Sequence, residues 1–117
     1  MTNLERAQDL YKMIFSGQLL EAFDKYYADD VVMTELGEEP RRGKAANRAH
    51  EEAFVADLAE VHGAGITAIA SNEETGHVFI ENFMDLTHAK YGRANIPQVC
   101  VQNWKDGQIV EEKFYHK

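Results

Sequence analysis

The first sixteen residues alternate between apolar and polar positions with the period of an α-helix. Apolar side chains recur at helical intervals at Leu4, Ala7, Tyr11, Ile14 and Phe15. Thr2 followed by Glu5 has the spacing of a capping box, and Gly17 suits the position just past a helix end. The pattern therefore predicts an amphipathic helix that runs to about Ser16.

The next pattern predicts a shorter helix followed by a strand. The helix covers residues 19–27 and buries Leu19, Leu20, Phe23 and one of Tyr26 or Tyr27. A run of mostly apolar residues at 31–36 then predicts the first strand, and the charged sequence "GEEPRRG" after it has the composition of a solvated loop.

The pattern returns to the helical period and then changes to that of strands. A third helix is predicted over residues 44–61, with an exit at the "HGAG" of 62–65. Strands are predicted over residues 66–71, 77–88, 94–105 and 108–116. The sequences "NEETG", "KYGR" and "KDG" supply the hairpin turns between them.

This order of elements predicts an α+β fold. Three N-terminal helices are expected to pack on one face of a curved antiparallel sheet, which closes over them like a cone. The mouth of such a cone is a concave site for a small molecule, lined mostly by apolar groups and a few polar ones.

Composition narrows the class of protein. The 117 residues suit a single domain over 1–117, and 44% hydrophobic with 27% charged residues is ordinary for a globular chain. A formal charge of -8 repels phosphate backbones, so no nucleic-acid partner is expected. Neither an export signal nor a membrane span is apparent, and Cys100 is the single cysteine. We therefore expect a cytoplasmic protein.

Glu35 is the most unusual residue of the first predicted strand. Its neighbours Val31, Val32, Met33 and Leu36 are apolar, and a carboxylate carried toward a buried face must be solvated, paired or protonated. If this face lines a pocket, Glu35 has the environment of a general base. The alternative is an edge carboxylate paired with an arginine of the loop, Arg41 or Arg42.

The chain resembles the nuclear transport factor 2-like superfamily, especially its SnoaL-like and ketosteroid isomerase-like members. The resemblance spans nearly the whole chain and is most specific at "YADDVV" and "EEPRRGK". It implies the cone fold, a homodimer formed through the sheet and catalysis without a cofactor.

The same resemblance implies roles for three residues. Tyr11 falls at the place of the oxyanion-binding tyrosine of the isomerases, and Glu35 at the place of their general base. Cys100 corresponds to their third group, an aspartic acid kept protonated so that it can donate a hydrogen bond. Because a thiol is a weak donor, we do not expect true steroid isomerase activity. Tyr11 could equally be a core aromatic of the first helix.

Further candidates come from the last two strands. Gln98, Cys100 and Gln102 alternate onto one strand face, which is either polar pocket lining or a face toward solvent or a subunit. His116 shares a face with Phe114 and Glu112. The residues expected to contact a ligand are Gln98, Cys100, Gln102, Trp104 and His116, although Cys100 and Trp104 also suit plain packing positions. The five histidines show no short ligand repeat, so no metal site is predicted.

These patterns favour a protein that binds a small apolar or amphipathic molecule. If it is an enzyme, the residues suit proton transfer next to a carbonyl, of the ketosteroid isomerase or polyketide cyclase kind, with Glu35 as base and Tyr11 as donor. The alternatives are a non-catalytic ligand-binding module and a dimerisation or assembly module of the same fold.

Overall fold

The computed structural model describes residues 1–116. Its elements, in chain order, are α1 Asn3–Phe15, α2 Leu19–Tyr26, β1 Tyr27–Glu35, β2 Arg41–Arg42, α3 Lys44–Asp57, β3 Leu58–Asn72, β4 His77–His88, β5 Gly92–Lys105 and β6 Gln108–Tyr115. The capping box predicted at Thr2 and Glu5 begins α1, and Gly17 follows the helix with φ +84°. The lengths of the first helix and of the last three strands follow the sequence pattern closely.

Within residues 1–116 the sheet has six strands in the order β2-β1-β6-β5-β4-β3. The pairs β3–β4, β4–β5 and β5–β6 are antiparallel, whereas β1 runs parallel to β6. Three register shifts along β3 bend this edge strand against β4. The predicted α+β fold, with three helices on one face of a curved sheet, is confirmed.

The core lies between the helices and the concave face of the sheet. Fully buried side chains of α1, β1, β4 and β6 meet there, including Leu10, Val31, Met33, Ile80 and Ile109. Burying such side chains removes apolar surface from water, which is the main contribution to the stability of the fold.

The start of β1 differs from the prediction. The strand begins at Tyr27 and not at residue 31, so that Tyr27 belongs to the sheet while Tyr26 ends α2. Both tyrosines are buried, and the Tyr27 ring stacks on Phe23 with 4.6 Å between ring centroids. A helix and a strand that adjoin without a loop explain why both tyrosines find packing partners.

The boundary between α3 and β3 also differs. The helix ends at Asp57, and the "HGAG" segment predicted as a helix exit lies inside a strand. Phe83 of β4 packs over this part of the strand: a Cβ on Gly65 would lie 3.2 Å from Phe83 Cε1. The glycine is therefore needed for the close approach of an aromatic ring and not for a turn.

The charged loop contains the third difference. Arg41 and Arg42 form the short strand β2, which pairs with Val32 and Met33 of β1. The side chain of Asn47, which is fully buried on α3, donates through Nδ2 to the carbonyl oxygens of Arg41 at 3.0 Å and Gly43 at 2.8 Å. This amide fixes the turn between β2 and α3.

Candidate functional site

A cavity of about 510 Å³ lies between the three helices and the concave face of the sheet. Its apolar walls are formed by Leu10, Ile14, Phe15, Leu19, Phe23, Phe54, Met84, Leu86, Ala94, Ile96 and Phe114. Its polar lining consists of Tyr11, Tyr27, Glu35, His50, Glu51, Asn82, Tyr91, Gln98, Glu112 and His116. A cavity of this size and composition suits a small organic molecule.

Glu35, at the end of β1, is paired on both sides. Its Oε2 lies 2.7 Å from His116 Nε2, and its Oε1 lies 3.6 Å from Arg41 Nη2. Only 18% of the Glu35 side chain is exposed. The parallel pairing of β1 and β6 sets Glu35 beside Phe114, which brings His116 within reach. Glu35 is therefore both an ion-paired carboxylate and part of the cavity wall.

Arg41 is held by the same amide that fixes the turn. Its Nε donates to Asn47 Oδ1 at 3.2 Å, while its Nη2 is buried without a hydrogen-bond partner among residues 1–116. Because a buried guanidinium needs an acceptor or a counter-charge, Glu35 at 3.6 Å is the group that balances it.

A second carboxyl group, Glu112, is buried deeper in the cavity wall. The Tyr27 hydroxyl donates to its Oε1, and Gln102 Nε2 donates to its Oε2 at 2.8 Å. Trp104 Nε1 donates to Gln102 Oε1 at 3.0 Å, which fixes the orientation of the Gln102 amide. We call Tyr27, Gln102, Trp104 and Glu112 the Glu112 network.

Burial raises the pKa of Glu112 to about 7, although the hydrogen bonds from Tyr27 and Gln102 act in the opposite direction. Burial also raises the pKa of the Tyr27 phenol well above its usual range, with the Glu112 charge adding to it. Near neutral pH the network therefore holds a neutral phenol beside a carboxyl group that can take up or release a proton.

Tyr11 and Cys100 form a neighbouring pair. Burial raises the pKa of Tyr11 well above its usual range, and the phenol interacts with the Cys100 thiol. Burial also raises the pKa of Cys100 to about 12, so the sulfur stays a thiol at neutral pH. A buried thiol of this kind is not an activated nucleophile. Tyr11, by contrast, is a neutral phenol that lines the cavity.

Other parts of the wall carry amides and a third carboxyl group. Gln98 Nε2 donates to Asn82 Oδ1 at 3.3 Å, and Asn82 Nδ2 donates to the carbonyl oxygen of Ile80 at 3.2 Å. On α3, burial raises the pKa of Glu51 to about 7, opposed by the Arg41 charge. Burial, together with Arg41, lowers the pKa of His50.

The structure divides the predicted site residues into two groups. Tyr11, Glu35, Gln98 and His116 lie together on the cavity wall. Cys100, Gln102 and Trp104 are buried behind that wall and support it. Their predicted contact with a ligand is therefore indirect in this structure, through Tyr11 and Glu112.

Sequence reasoning missed six polar residues of the wall: Tyr27, His50, Glu51, Asn82, Tyr91 and Glu112. The signal for Glu112 was present, since it alternates with Phe114 and His116 on one strand face. Glu51 lies four residues after the buried Asn47, on the same side of α3.

The arrangement suits acid–base chemistry on a largely apolar molecule. It joins a paired carboxylate, two neutral phenols and two carboxyl groups of raised pKa in one apolar cavity.

Among residues 1–116 no cluster of three His, Cys, Asp or Glu side chains is placed to hold a metal ion. None of the helices in that range is long and apolar enough to cross a membrane.

Solved structures share this fold. A candidate SnoaL-like polyketide cyclase from Mesorhizobium loti is 29% identical, with a TM-score of 0.83 and coverage of 98% of this chain and 99% of that one. A candidate isomerase from Bacillus subtilis is 14% identical, with a TM-score of 0.83 and coverage of 100% and 90%. An LEH-like epoxide hydrolase from M. tuberculosis is 16% identical, with a TM-score of 0.80 and coverage of 98% and 82%.

The family comparison agrees with the structural ones, whereas no curated protein matches this chain. The family model of the SnoaL-like domain matches residues 1–116, which include every residue of the cavity wall. The chain belongs to the SnoaL-like domain family.

Proposed function

We propose that this protein is a cofactor-independent enzyme that moves a proton next to a carbonyl group of a small amphipathic molecule. The observation that carries the proposal is the position of Glu35, a carboxylate on the wall of an apolar cavity that also presents neutral phenols. The 29% identity with a candidate polyketide cyclase supports the same class of chemistry.

In this reaction Glu35 takes a proton from the carbon beside the carbonyl. The electron pair of the broken C–H bond forms an enolate, and Tyr11 donates a hydrogen bond to its oxygen. Return of the proton at another carbon completes an isomerisation. Attack of the enolate carbon on a second carbonyl forms an alkoxide, and transfer of the proton from Glu35 to that oxygen completes a cyclisation. Gln98 and His116 supply further polar contacts.

The ion pairs of Glu35 fit the role of a base. His116 bonds Oε2 at 2.7 Å, while Oε1 has only the longer contact of 3.6 Å to Arg41. Oε1 is therefore the oxygen that takes the proton. The Arg41 guanidinium and the His116 imidazole hold the carboxyl group in one orientation, and a fixed orientation is what a positioned base requires.

The Glu112 network fits the role of a second donor. When Glu112 is protonated it can donate to the Tyr27 oxygen, and the Tyr27 O–H is then released toward the cavity. Tyr27 would thus share with Tyr11 the charge that develops on the substrate oxygen. Cys100 stands behind Tyr11 in this scheme and does not contact the substrate.

The test is isomerisation of 3-cyclohexenone to 2-cyclohexenone, followed by the absorbance of the conjugated product. Wild-type protein should accelerate it, and Glu35→Gln should lower kcat by about 10²- to 10⁴-fold, as expected for loss of a positioned base. Asp29→Asn changes an exposed carboxylate of the same strand and should leave kcat unchanged. Equal rates for wild type and Glu35→Gln would refute the proposal.

One observation favours a second candidate function, a non-catalytic ligand-binding module. Both oxygens of Glu35 already have partners, Arg41 and His116, as in a purely structural cluster. This candidate predicts ligand binding that is indifferent to Glu35→Gln, and no turnover in either protein.

We further propose a homodimer formed through the outer face of the sheet, in a cytoplasmic protein. Phe79, Val99 and Tyr115 are between 36% and 44% exposed on strands β4, β5 and β6, and Val99 pairs directly with Tyr115. A contiguous apolar patch of this kind is typical of a protein–protein interface.

A further inference from the structure

A second space adjoins the cavity, where the end of α1, the start of α2, the end of α3 and the start of β3 approach one another. It has a volume of about 370 Å³, and we call it the tail groove. Its lining consists of Ile14, Phe15, Gly17, Leu19, Leu20, Glu21, Phe54, Val55, Leu58, Val61, Ala64 and Met84. Exposed residues at its rim, such as Gly17, Glu21 and Val61, show that it opens to solvent.

The tail groove adjoins the cavity. Five side chains line both spaces: Ile14, Phe15, Leu19, Phe54 and Met84. The register shifts of β3 between Leu58 and Glu60, and between Val61 and Gly63, keep Leu58, Val61 and Ala64 on the inner side of the sheet, opposite inward residues of β4. A ligand that passes between these shared side chains would occupy both spaces.

The two spaces differ in chemistry. Among residues 1–116, the only charged residue lining the tail groove is Glu21, at its exposed rim, and the other side chains there are apolar. The far end of the cavity carries Glu35, Glu112 and His116. A peptide segment in the tail groove would leave its backbone N–H and C=O groups without partners, whereas a hydrocarbon needs none.

We infer that the tail groove binds the aliphatic tail of the substrate, whose carbonyl head lies in the cavity. The class of ligand is thus a neutral carbonyl compound with a flexible hydrocarbon chain. The head is neutral because the Glu35 carboxylate would repel an anion, while Glu51 and Glu112, which also line the cavity, supply no positive charge in either protonation state. This inference rests on the proposed function for the role of the carbonyl head.

The experiment is calorimetric titration with straight-chain 2-alkanones from 2-pentanone to 2-decanone. Each methylene that enters the tail groove should tighten binding about fourfold, the factor that corresponds to about 0.8 kcal/mol per buried methylene. The increase should stop once the chain reaches the rim. An affinity that does not depend on chain length would overturn the inference.

Variants of Val61 test the location. Val61 is 47% exposed at the rim, so the fold should tolerate polar residues there. Val61→Asp should abolish the gain for the longer ketones and leave 2-pentanone unaffected, and Val61→Thr, of nearly equal volume, should reduce the gain. Ala49→Asp adds the same charge at an exposed position of α3 outside both spaces and should change nothing.

Three results would contradict this location. If Val61→Asp keeps the full dependence on chain length, the tail lies elsewhere. If all ketones lose affinity equally, Val61 acts on the head site. If sedimentation shows that Val61→Asp alters the oligomeric state, the tail groove is a contact between copies of the chain.

Proton exchange separates this inference from the proposed function. Deuterium uptake by 2-pentanone in D2O reports the chemistry without engaging the tail groove. Suppose that deuterium uptake depends on Glu35 but the affinity of the 2-alkanones does not change with chain length. This result overturns the inference about the tail and leaves the proposed function standing. A steep series without Glu35-dependent uptake overturns the proposed function and leaves the binding site for the tail.

Discussion

At the scale of single residues, Glu112 shows how two opposing effects set the state of a buried carboxyl group. Removal from water disfavours the charged form, while the hydrogen bonds from Tyr27 and Gln102 favour it. Burial is the larger effect, and the pKa rises to about 7 from a reference of 4.5. The group is thereby poised to exchange protons near neutral pH.

The first prediction concerns stability and pH. Because the pKa of Glu112 is higher in the folded than in the unfolded chain, the folded chain binds more protons between pH 4.5 and about 7, and stability falls as the pH rises through this window. Glu112→Gln should remove this contribution. The difference in unfolding free energy between the variant and wild type should therefore shift in favour of the variant by about 3 kcal/mol from pH 4 to pH 8. Urea unfolding at both pH values measures it.

Glu51→Gln provides the comparison for this prediction. Burial also raises the pKa of Glu51 to about 7, but the side chain is only half-buried, so its effect should have the same sign and a smaller size. A Glu112→Gln protein whose stability depends on pH as steeply as wild type would contradict the assignment of the raised pKa to Glu112.

At the scale of elements, the first half of β3 depends on its glycines. Gly63 and Gly65 both lie beneath Phe83, but a Cβ would be 4.0 Å from the ring at Gly63 and 3.2 Å from it at Gly65. The same segment carries Val61 and Ala64 on its inner side, where they line the tail groove. The packing of Phe83 on the outer side therefore bears on the shape of the groove inside.

The second prediction compares these glycines. Gly65→Ala should be less stable than Gly63→Ala by about 1 kcal/mol, because the added methyl group forces the Phe83 ring to shift at the first position only. Thermal or urea unfolding of both variants measures the difference. Phe83→Leu should reduce the difference in a double-mutant cycle, and an unchanged difference would show that Phe83 is not its cause.

Local signals in the sequence predicted some elements and not others. The capping box at Thr2 and Glu5 and the turn at "KDG" act within a few residues, so the sequence suffices to place them. The "HGAG" segment was predicted to be a helix exit because glycines commonly end helices. In the structure these glycines instead make room for Phe83, a residue of the next strand. Contacts of that range leave no local pattern.

The site was predictable to the same limited extent. Glu35 was singled out because its neighbours are apolar, a local feature, and both of its possible surroundings, the ion pair and the cavity wall, occur together in the structure. Glu112 escaped notice because a glutamate in a strand ordinarily faces solvent. Its partners Tyr27 and Gln102 lie on other strands and come together only in the folded sheet.

At the scale of the whole molecule, the two faces of the sheet differ in what they contact. The concave face covers the helices and forms the cavity, while the outer face exposes Phe79, Val99 and Tyr115. A dimer through the outer face would leave the cavity and the tail groove open. Assembly and ligand binding can therefore be changed separately.

The third prediction tests the proposed dimer. Val99→Lys places a charge in the centre of the outer apolar patch and should weaken self-association at least tenfold in sedimentation equilibrium, since an unpaired buried charge is costly. Leu36→Lys, at a residue 58% exposed and outside the sheet, should leave association unchanged. A wild-type protein that is monomeric at high concentration would contradict the proposal.

The parallel pairing of β1 with β6 sets the order in which the molecule can be completed during synthesis. Within residues 1–116, β6 is the last strand to leave the ribosome, yet it lies between β1 and β5. Glu35 cannot form its hydrogen bond with His116 until that residue has been made, 81 residues later. Until β6 has been made, the sheet stays open between β1 and β5 and the site is unassembled, and the arrival of β6 joins these strands and brings His116 to Glu35 in the same event.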